Sequence, residues 1–252
     1  MAHAAMLSEE HRALHWRGAY LWFVGLSYFF QGFYFLGTRI FVLTRMANWG
    51  VLTDTQATVL AILGLPSYLK IFPAILSDRV PVRRWGRRKP YIFLGGLVYI
   101  PSYLLLIKIQ EFGLSWVATI LLLLFAWMLT DASLDALTVD ITPQEQTGQM
   151  QGAVQSSRKA GGIFGILLVP LLGPRLGWTP VLVTLGIGAL ISSGAALFLR
   201  EHPISRSALE KELPLKRVLR EAFNHKLVWL GLFFIPLTLL FFRPGGAVAL
   251  QS

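Results

Sequence analysis

The sequence has no cysteine, little charge and few acidic residues. Without cysteine there is no disulfide, no zinc–thiolate site and no cysteine nucleophile. Charged residues make up 14% of the 252 positions, whereas a soluble domain carries about a quarter. Acidic residues number 13 against 23 Lys and Arg, which gives a net charge of +10. Because 54% of the residues are hydrophobic, these deficits argue against an ordinary soluble domain.

Sequence motifs of several enzyme classes are also missing. There is no G-x-x-x-x-G-K-[ST] phosphate loop, no H-E-x-x-H zinc motif and no G-x-S-x-G nucleophile motif. The histidines lie in the more polar segments, at His3, His11, His15, His202 and His225. We therefore expect no enzyme activity, no use of ATP, no cofactor and no metal site.

Long apolar runs occupy most of the chain. A helix that crosses a membrane needs about 20 mostly apolar residues. Runs of this kind predict an all-α, multi-pass membrane protein with spans at about 19–45, 55–76, 91–109, 115–141, 147–172 and 177–199, and a seventh at about 227–242.

Lys and Arg are distributed unevenly between the two ends of these spans. Fifteen of them lie in the N-terminal segment, the second loop and the long loop after the sixth span, and three lie near the opposite loops. Positively charged loops stay in the cytoplasm. The asymmetry predicts a cytoplasmic (inner) membrane protein with a cytoplasmic N-terminus, and it accounts for the positive charge without a nucleic-acid partner.

The same pattern divides the chain into four parts. Residues 1–18 are predicted as a cytoplasmic segment, 19–199 as a six-helix bundle, 200–226 as a basic cytoplasmic loop, and 227–252 as a seventh helix and tail. The apolar side of "LPLKRVLREAF" predicts a short amphipathic helix in the loop, with a disordered connector as the alternative. Six spans, a long loop and one further span suggest one half of a larger plan, so we expect a missing C-terminal half or a second half-transporter as partner.

Ionisable residues inside the spans are the strongest functional signal, because burying them in a membrane is costly. Asp131 and Asp135 share one face of the fourth span, and Asp140 lies near its cytoplasmic end. By depth, Arg158 of the fifth span should meet Asp131, and Lys70 lies nearer the depth of Asp135. These residues predict a charged cavity that binds solute and protons; the alternative is an ion pair that only fixes packing.

A polar strip on the first span extends this cavity. Gln31 and Tyr34 lie on the strip, and Arg39 lies at its edge. An amide, a hydroxyl and aromatic rings suit a polar organic solute. Ordinary packing between polar helix faces is the alternative.

The second loop carries more than a topology signal. "SDRVPVRRWGRRKP" places Asp78 among six positive charges, Gly86 in a tight turn and Pro90 at a helix start. An aspartate beside so many arginines should be ionised and paired. The stretch is therefore predicted to form a structured latch, and Asp140 is a candidate member of it.

These residues resemble the signature between the second and third helices of the major facilitator superfamily, G-x-L-x-D-R-x-G-R-R. The matching residues are Leu76, Asp78, Arg79, Gly86, Arg87 and Arg88. Ala74 replaces the first glycine, and five extra residues precede Gly86. The long loop is similar to that of the sugar-cation symporter branch, and "GLPSYLKIFPAILSDR" is similar to the muropeptide permease and folate–biopterin branch.

The resemblance implies a secondary transporter that works by alternating access between two six-helix halves in a lipid bilayer. The solute would bind between the halves, with a proton or another cation as coupling ion. Asp78, Arg79, Gly86, Arg87 and Arg88 would then form the cytoplasmic gate. The alternative is a non-transporting assembly or sensor subunit built on the same helices.

Overall fold

Helices make up nearly all of the chain that the structure describes. This computed structural model describes residues 19–79, 86–201 and 224, without the side chains of Tyr68, Ile71, Asp78 and Arg79. Within those ranges there is no β-strand. The α-helices there are α1 (Ala19–Asn48), α2 (Thr53–Tyr68), α3 (Ile71–Arg79), α4 (Lys89–Lys108), α5 (Leu114–Ile141), α6 (Thr147–Leu176) and α7 (Trp178–Leu197).

The lengths and hydropathies of these helices confirm an all-α membrane protein. In the part of the chain that the structure describes, five segments are long and apolar enough to cross a membrane: Thr53–Ser77, Lys89–Lys108, Leu114–Ile141, Gln144–Leu176 and Trp178–Leu197. Helix α1 has 30 residues, about 45 Å at the usual rise, and is also long enough to cross. Glycines, tyrosines and Gln31 lower the mean hydropathy of α1, so it is not among these five segments. The predicted seventh span and the predicted helix in the long loop lie outside the described residues.

The second predicted span is interrupted. It forms as α2 and α3, which are separated by a turn at Leu69 and Lys70. In a continuous helix the N–H of residue 73 would bond to the carbonyl of Leu69, but Pro73 has no N–H and its ring crowds that carbonyl. Lys70 lies at this turn, and its side chain contacts the two aspartates of α5 inside the bundle.

Helix α1 packs against α6 more extensively than any other described helix pair. The two backbones lie so close that a Cβ added at Gly161 or Gly165 would overlap a carbonyl oxygen of α1, from Phe29 or Phe33. A Cβ at Gly32 of α1 would overlap the carbonyl oxygen of Arg158 in the same way. Small residues on the facing sides of α1 and α6 therefore allow a tight helix contact.

The other contacts complete the bundle around α5. Helix α4 packs between α5 and α7, and both α2 and α3 contact α5. At the far end of α1, the guanidinium of Arg45 lies 4.2 Å from the centre of the Trp49 ring. Trp49 and Phe41 both contact Trp116 there, so aromatic rings fill this end of the bundle.

Candidate functional site

Two carboxylates and two cations meet inside the bundle. Asp131 and Asp135 lie one turn apart on α5. Nη2 of Arg158 donates to Oδ1 of Asp131 at 2.9 Å and to Oδ1 of Asp135 at 3.1 Å. Nζ of Lys70 contacts Oδ2 of both carboxylates. The predicted pairing of Asp131 with Arg158 is confirmed, and Lys70 bridges the same two carboxylates.

The four side chains differ in exposure. That of Asp131 is 2% exposed, whereas those of Asp135, Lys70 and Arg158 are 38%, 33% and 31% exposed. Asp131 is therefore the buried member of the cluster, and Asp135, Lys70 and Arg158 form its accessible side. Two negative and two positive groups balance, which lowers the cost of holding them in a low-dielectric bundle.

Tyr28 of α1 completes the cluster and was not among the predicted site residues. Its hydroxyl donates to Oδ1 of Asp135 at 2.6 Å, and its ring centre lies 4.7 Å from the guanidinium of Arg158. The side chain is 1% exposed. Tyr28 lies one helical turn before Gln31, and residues at this spacing share a helix face. The helical periodicity that indicates Gln31 therefore also indicates Tyr28.

Gln31 is buried without a hydrogen-bond partner among the described residues. Neither its amide nitrogen nor its amide oxygen has one, although the side chain is 1% exposed. Nε of Arg158 is another buried atom without a hydrogen-bond partner among the described residues. An unsatisfied buried polar group costs about 1–3 kcal/mol, so both groups favour a polar binding partner.

Tyr34 and Arg39 lie farther along α1. Tyr34 is fully buried, and its hydroxyl lies 2.7 Å from that of Tyr99 on α4. Arg39 is exposed. Their participation in a solute cavity stays a prediction.

A second polar cluster surrounds the N-terminus of α4. Oε1 of Glu201 accepts hydrogen bonds from the backbone N–H of Arg87 at 2.7 Å and of Arg88 at 2.8 Å. Oε2 accepts one from the N–H of Lys89 at 3.3 Å. These N–H groups have no partner inside the helix, and a carboxylate suits the positive end of the helix dipole. Glu201 was not predicted; it is the first acidic residue after the sixth span.

Two of the predicted gate arginines join this cluster to other helices. Nη2 of Arg87 lies 3.2 Å and Nε of Arg88 lies 3.3 Å from Oδ2 of Asp140 at the end of α5. Nη1 of Arg88 donates to Oγ of Ser77 in α3 at 2.8 Å. We call Arg87, Arg88, Asp140 and Glu201 the latch. The side chains of Asp78 and Arg79 lie outside the described part.

Gly86 is required where the loop enters α4. Its φ is +91°, in the region that favours glycine, and an added Cβ would overlap the Glu201 carboxylate. We expect Gly86→Ala to lower the free energy of unfolding by about 1–3 kcal/mol through backbone strain. The measurement is thermal unfolding of the purified protein in detergent.

Gly113→Ala is the matched control for this variant. Gly113 precedes α5 with extended backbone, at φ 177°, and an added Cβ there meets no atom within 4 Å. Equal stability of the two variants would show that Gly86 is not needed for the latch.

Apolar spans around an internal cluster of ion pairs define a multi-pass α-helical membrane protein. The chain belongs to the major facilitator superfamily, whose family model matches residues 21–249. It is therefore a transporter of that type. Neither the curated proteins nor the solved structures include a match to this chain.

Proposed function

We propose that the protein is a secondary transporter that moves a small polar organic solute across the cytoplasmic membrane by alternating access, coupled to protons or another cation. The observation that carries this proposal is the neutral cluster of Asp131, Asp135, Lys70 and Arg158, buried on one side and accessible on the other. Gln31 would add an amide donor and acceptor to the solute site.

The shared contacts of the cluster suggest how ion and solute are coupled. Each carboxylate accepts from both Lys70 and Arg158. A proton or cation that neutralises one carboxylate weakens its hold on these two cations, which can then bind the solute. Because both ligands act on the same groups, each changes the affinity for the other.

The latch is proposed as the cytoplasmic gate. Asp140 and Glu201 hold the arginines of the loop before α4, and the family resemblance adds Asp78 and Arg79 to the same gate. The solute site would be completed by a second six-helix half, either from a longer chain or from a second chain. This half would cover the accessible side of the cluster within the lipid bilayer.

The proposed sidedness can be tested by single cysteines, because the chain has none of its own. Cysteines at exposed Gln110 and Gln144 lie at opposite ends of α5. In intact cells a membrane-impermeant maleimide should label position 110 and spare position 144. The reverse pattern would overturn the proposed orientation.

Transport itself is tested with the full-length protein in proteoliposomes. The assay measures uptake of radiolabelled sugars, glycosides and small peptides, with and without an inward proton or sodium gradient. We expect one solute class to accumulate, and an ionophore that collapses the gradient to abolish the accumulation. If no solute accumulates under either gradient, the proposal is rejected.

A further inference from the structure

Two hydroxyl groups extend from the ion cluster toward the end of α5 and the start of α6. The hydroxyl of Tyr28 is bonded to Oδ1 of Asp135 and lies 3.5 Å from Oγ1 of Thr138, one turn farther along α5. Tyr28 and Thr138 are both almost fully buried, at 1% and 2% exposure. Asp135, Tyr28 and Thr138 therefore form a row that begins at the accessible side of the cluster and continues through two buried hydroxyl groups.

The row ends at a polar pocket. Thr138 lines a cavity of about 210 Å³ between the end of α5 and the start of α6. The other polar side chains of its wall belong to Thr142, Gln144, Thr147 and Gln151. Gln144, Thr147 and Gln151 are exposed, so the cavity reaches the surface. It is polar and large enough to hold several water molecules.

The two sides of Asp135 thus have different surroundings. One side is accessible together with Lys70 and Arg158, and this is where a solute would bind. A solute bound there would separate the carboxyl group from water on that side. The hydroxyl of Tyr28 contacts Asp135 from within the protein and leads to the pocket at the other end of the row.

We propose that Tyr28 and Thr138 relay protons between Asp135 and water in the pocket at the α5–α6 end. This inference rests on the proposed function, with the proton as the coupling ion. In one passage the carboxyl proton of Asp135 moves to Oη of Tyr28, and the phenol proton moves to Oγ1 of Thr138. The hydroxyl proton of Thr138 then moves to a water molecule. Asp135 ends as a carboxylate, the two hydroxyls keep their neutral state, and the water carries the proton away.

Two variants remove the hydroxyls and keep the shapes. Tyr28→Phe retains the ring that lies against Arg158 but breaks the row next to Asp135. Thr138→Val breaks the row one step farther on and leaves Tyr28, Lys70 and Arg158 bonded to Asp135. Thr119→Val is the matched control, because Thr119 is a buried threonine of α5 whose hydroxyl also donates to the carbonyl four residues earlier.

The test uses the full-length protein in proteoliposomes that contain the pH dye pyranine, so that the proton itself is the probe. The solute panel is added outside under an inward proton gradient, and solute-dependent acidification is recorded. Exchange of labelled for unlabelled solute across the same membranes is measured in parallel, because exchange needs no net proton release. Rates in H₂O and D₂O show whether proton transfer limits the rate.

We expect Tyr28→Phe and Thr138→Val each to slow proton entry by about tenfold or more, given the usual contribution of a positioned proton-transfer group. In Thr138→Val, exchange should stay within about twofold of the unsubstituted protein, and Thr119→Val should match the unsubstituted protein in both assays. The solvent isotope effect on proton entry should rise in the two relay variants.

Three results would overturn the relay and leave transport intact. These are unchanged proton entry in both variants, slowing in Tyr28→Phe alone, and equal slowing of exchange and proton entry in Thr138→Val. If the unsubstituted protein exchanges solute without any solute-dependent proton entry, proton coupling fails and the relay fails with it.

Discussion

Uptake falls to the background level when Asp131 is replaced by asparagine, while the amount of protein in the membrane stays the same. This is the expected result because Asp131 is the buried member of the cluster and forms ion pairs with both Lys70 and Arg158. Asparagine has nearly the same shape but no charge. The two cations would then share Asp135 alone, and the cluster would carry a net positive charge.

The charge balance of the cluster also explains why Asp131→Asn should lose most of its uptake. In the proposed cycle, neutralising one carboxylate leaves the other to hold the cations. With asparagine at position 131, neutralising Asp135 would leave Lys70 and Arg158 without an anion in the bundle. Leaving a buried charge without its partner costs about 3–5 kcal/mol, enough to slow a step more than a hundredfold. Asp135 still pairs both cations in the resting state, so the fold is retained.

The measurement is gradient-driven uptake in proteoliposomes, normalised to protein content. Asp54→Asn is the matched control, because Asp54 is an exposed aspartate in the first turn of α2. A double variant that exchanges the charges, Asp131→Arg with Arg158→Asp, separates packing from transport. We expect it to reach the membrane without restoring uptake. Wild-type uptake by Asp131→Asn, or full rescue by the exchange, would favour an ion pair that only fixes packing.

Gly161→Ala should prevent recovery of folded protein. The added methyl group would overlap the carbonyl oxygen of Phe29, a backbone atom that cannot rotate away. Relief requires the backbones of α1 and α6 to move apart at this contact. We expect a loss of about 3 kcal/mol, at the upper end of the usual cost of overpacking. That is a large share of the stability of a typical protein.

Gly152→Ala on the same helix is the matched control. An added Cβ at Gly152 meets no atom within 4 Å, and alanine favours a helix more than glycine does. The measurement is the yield of monodisperse protein after extraction in detergent, followed by thermal unfolding. Equal yield and stability of the two variants would contradict the close α1–α6 contact.

Much of the fold and part of the site could be predicted from the sequence. Apolar runs of sufficient length predicted the spans, because a membrane requires them. The pairing of Asp131 with Arg158 followed from counting residues from the short turn between two antiparallel helices. The close packing of one side of α6 can be inferred from its small residues, because Ala153, Ser157, Gly161 and Gly165 recur at helical spacing. Each of these inferences needs only local periodicity and a known rise per residue.

Other members of the two clusters could not be inferred in the same way. The sequence predicted Lys70 near the depth of Asp135, but only the structure shows that it bridges both carboxylates from the break between α2 and α3. Glu201 caps α4 although it lies more than a hundred residues along the chain from Arg87. Tyr28 meets Asp135 only when α1 has one particular rotation against α5 and α6.

The sequence by itself determined that this is a helical membrane protein of this superfamily, and which residues carry charge inside it. The tertiary structure alone decided that Lys70 bridges both carboxylates, and that Tyr28 and Glu201 join the two clusters. The reason is that periodicity shows which residues share a helix face but not which neighbour that face contacts. The rotation and depth of each helix come from packing, here above all from the close approach of α1 and α6 at Gly32, Gly161 and Gly165.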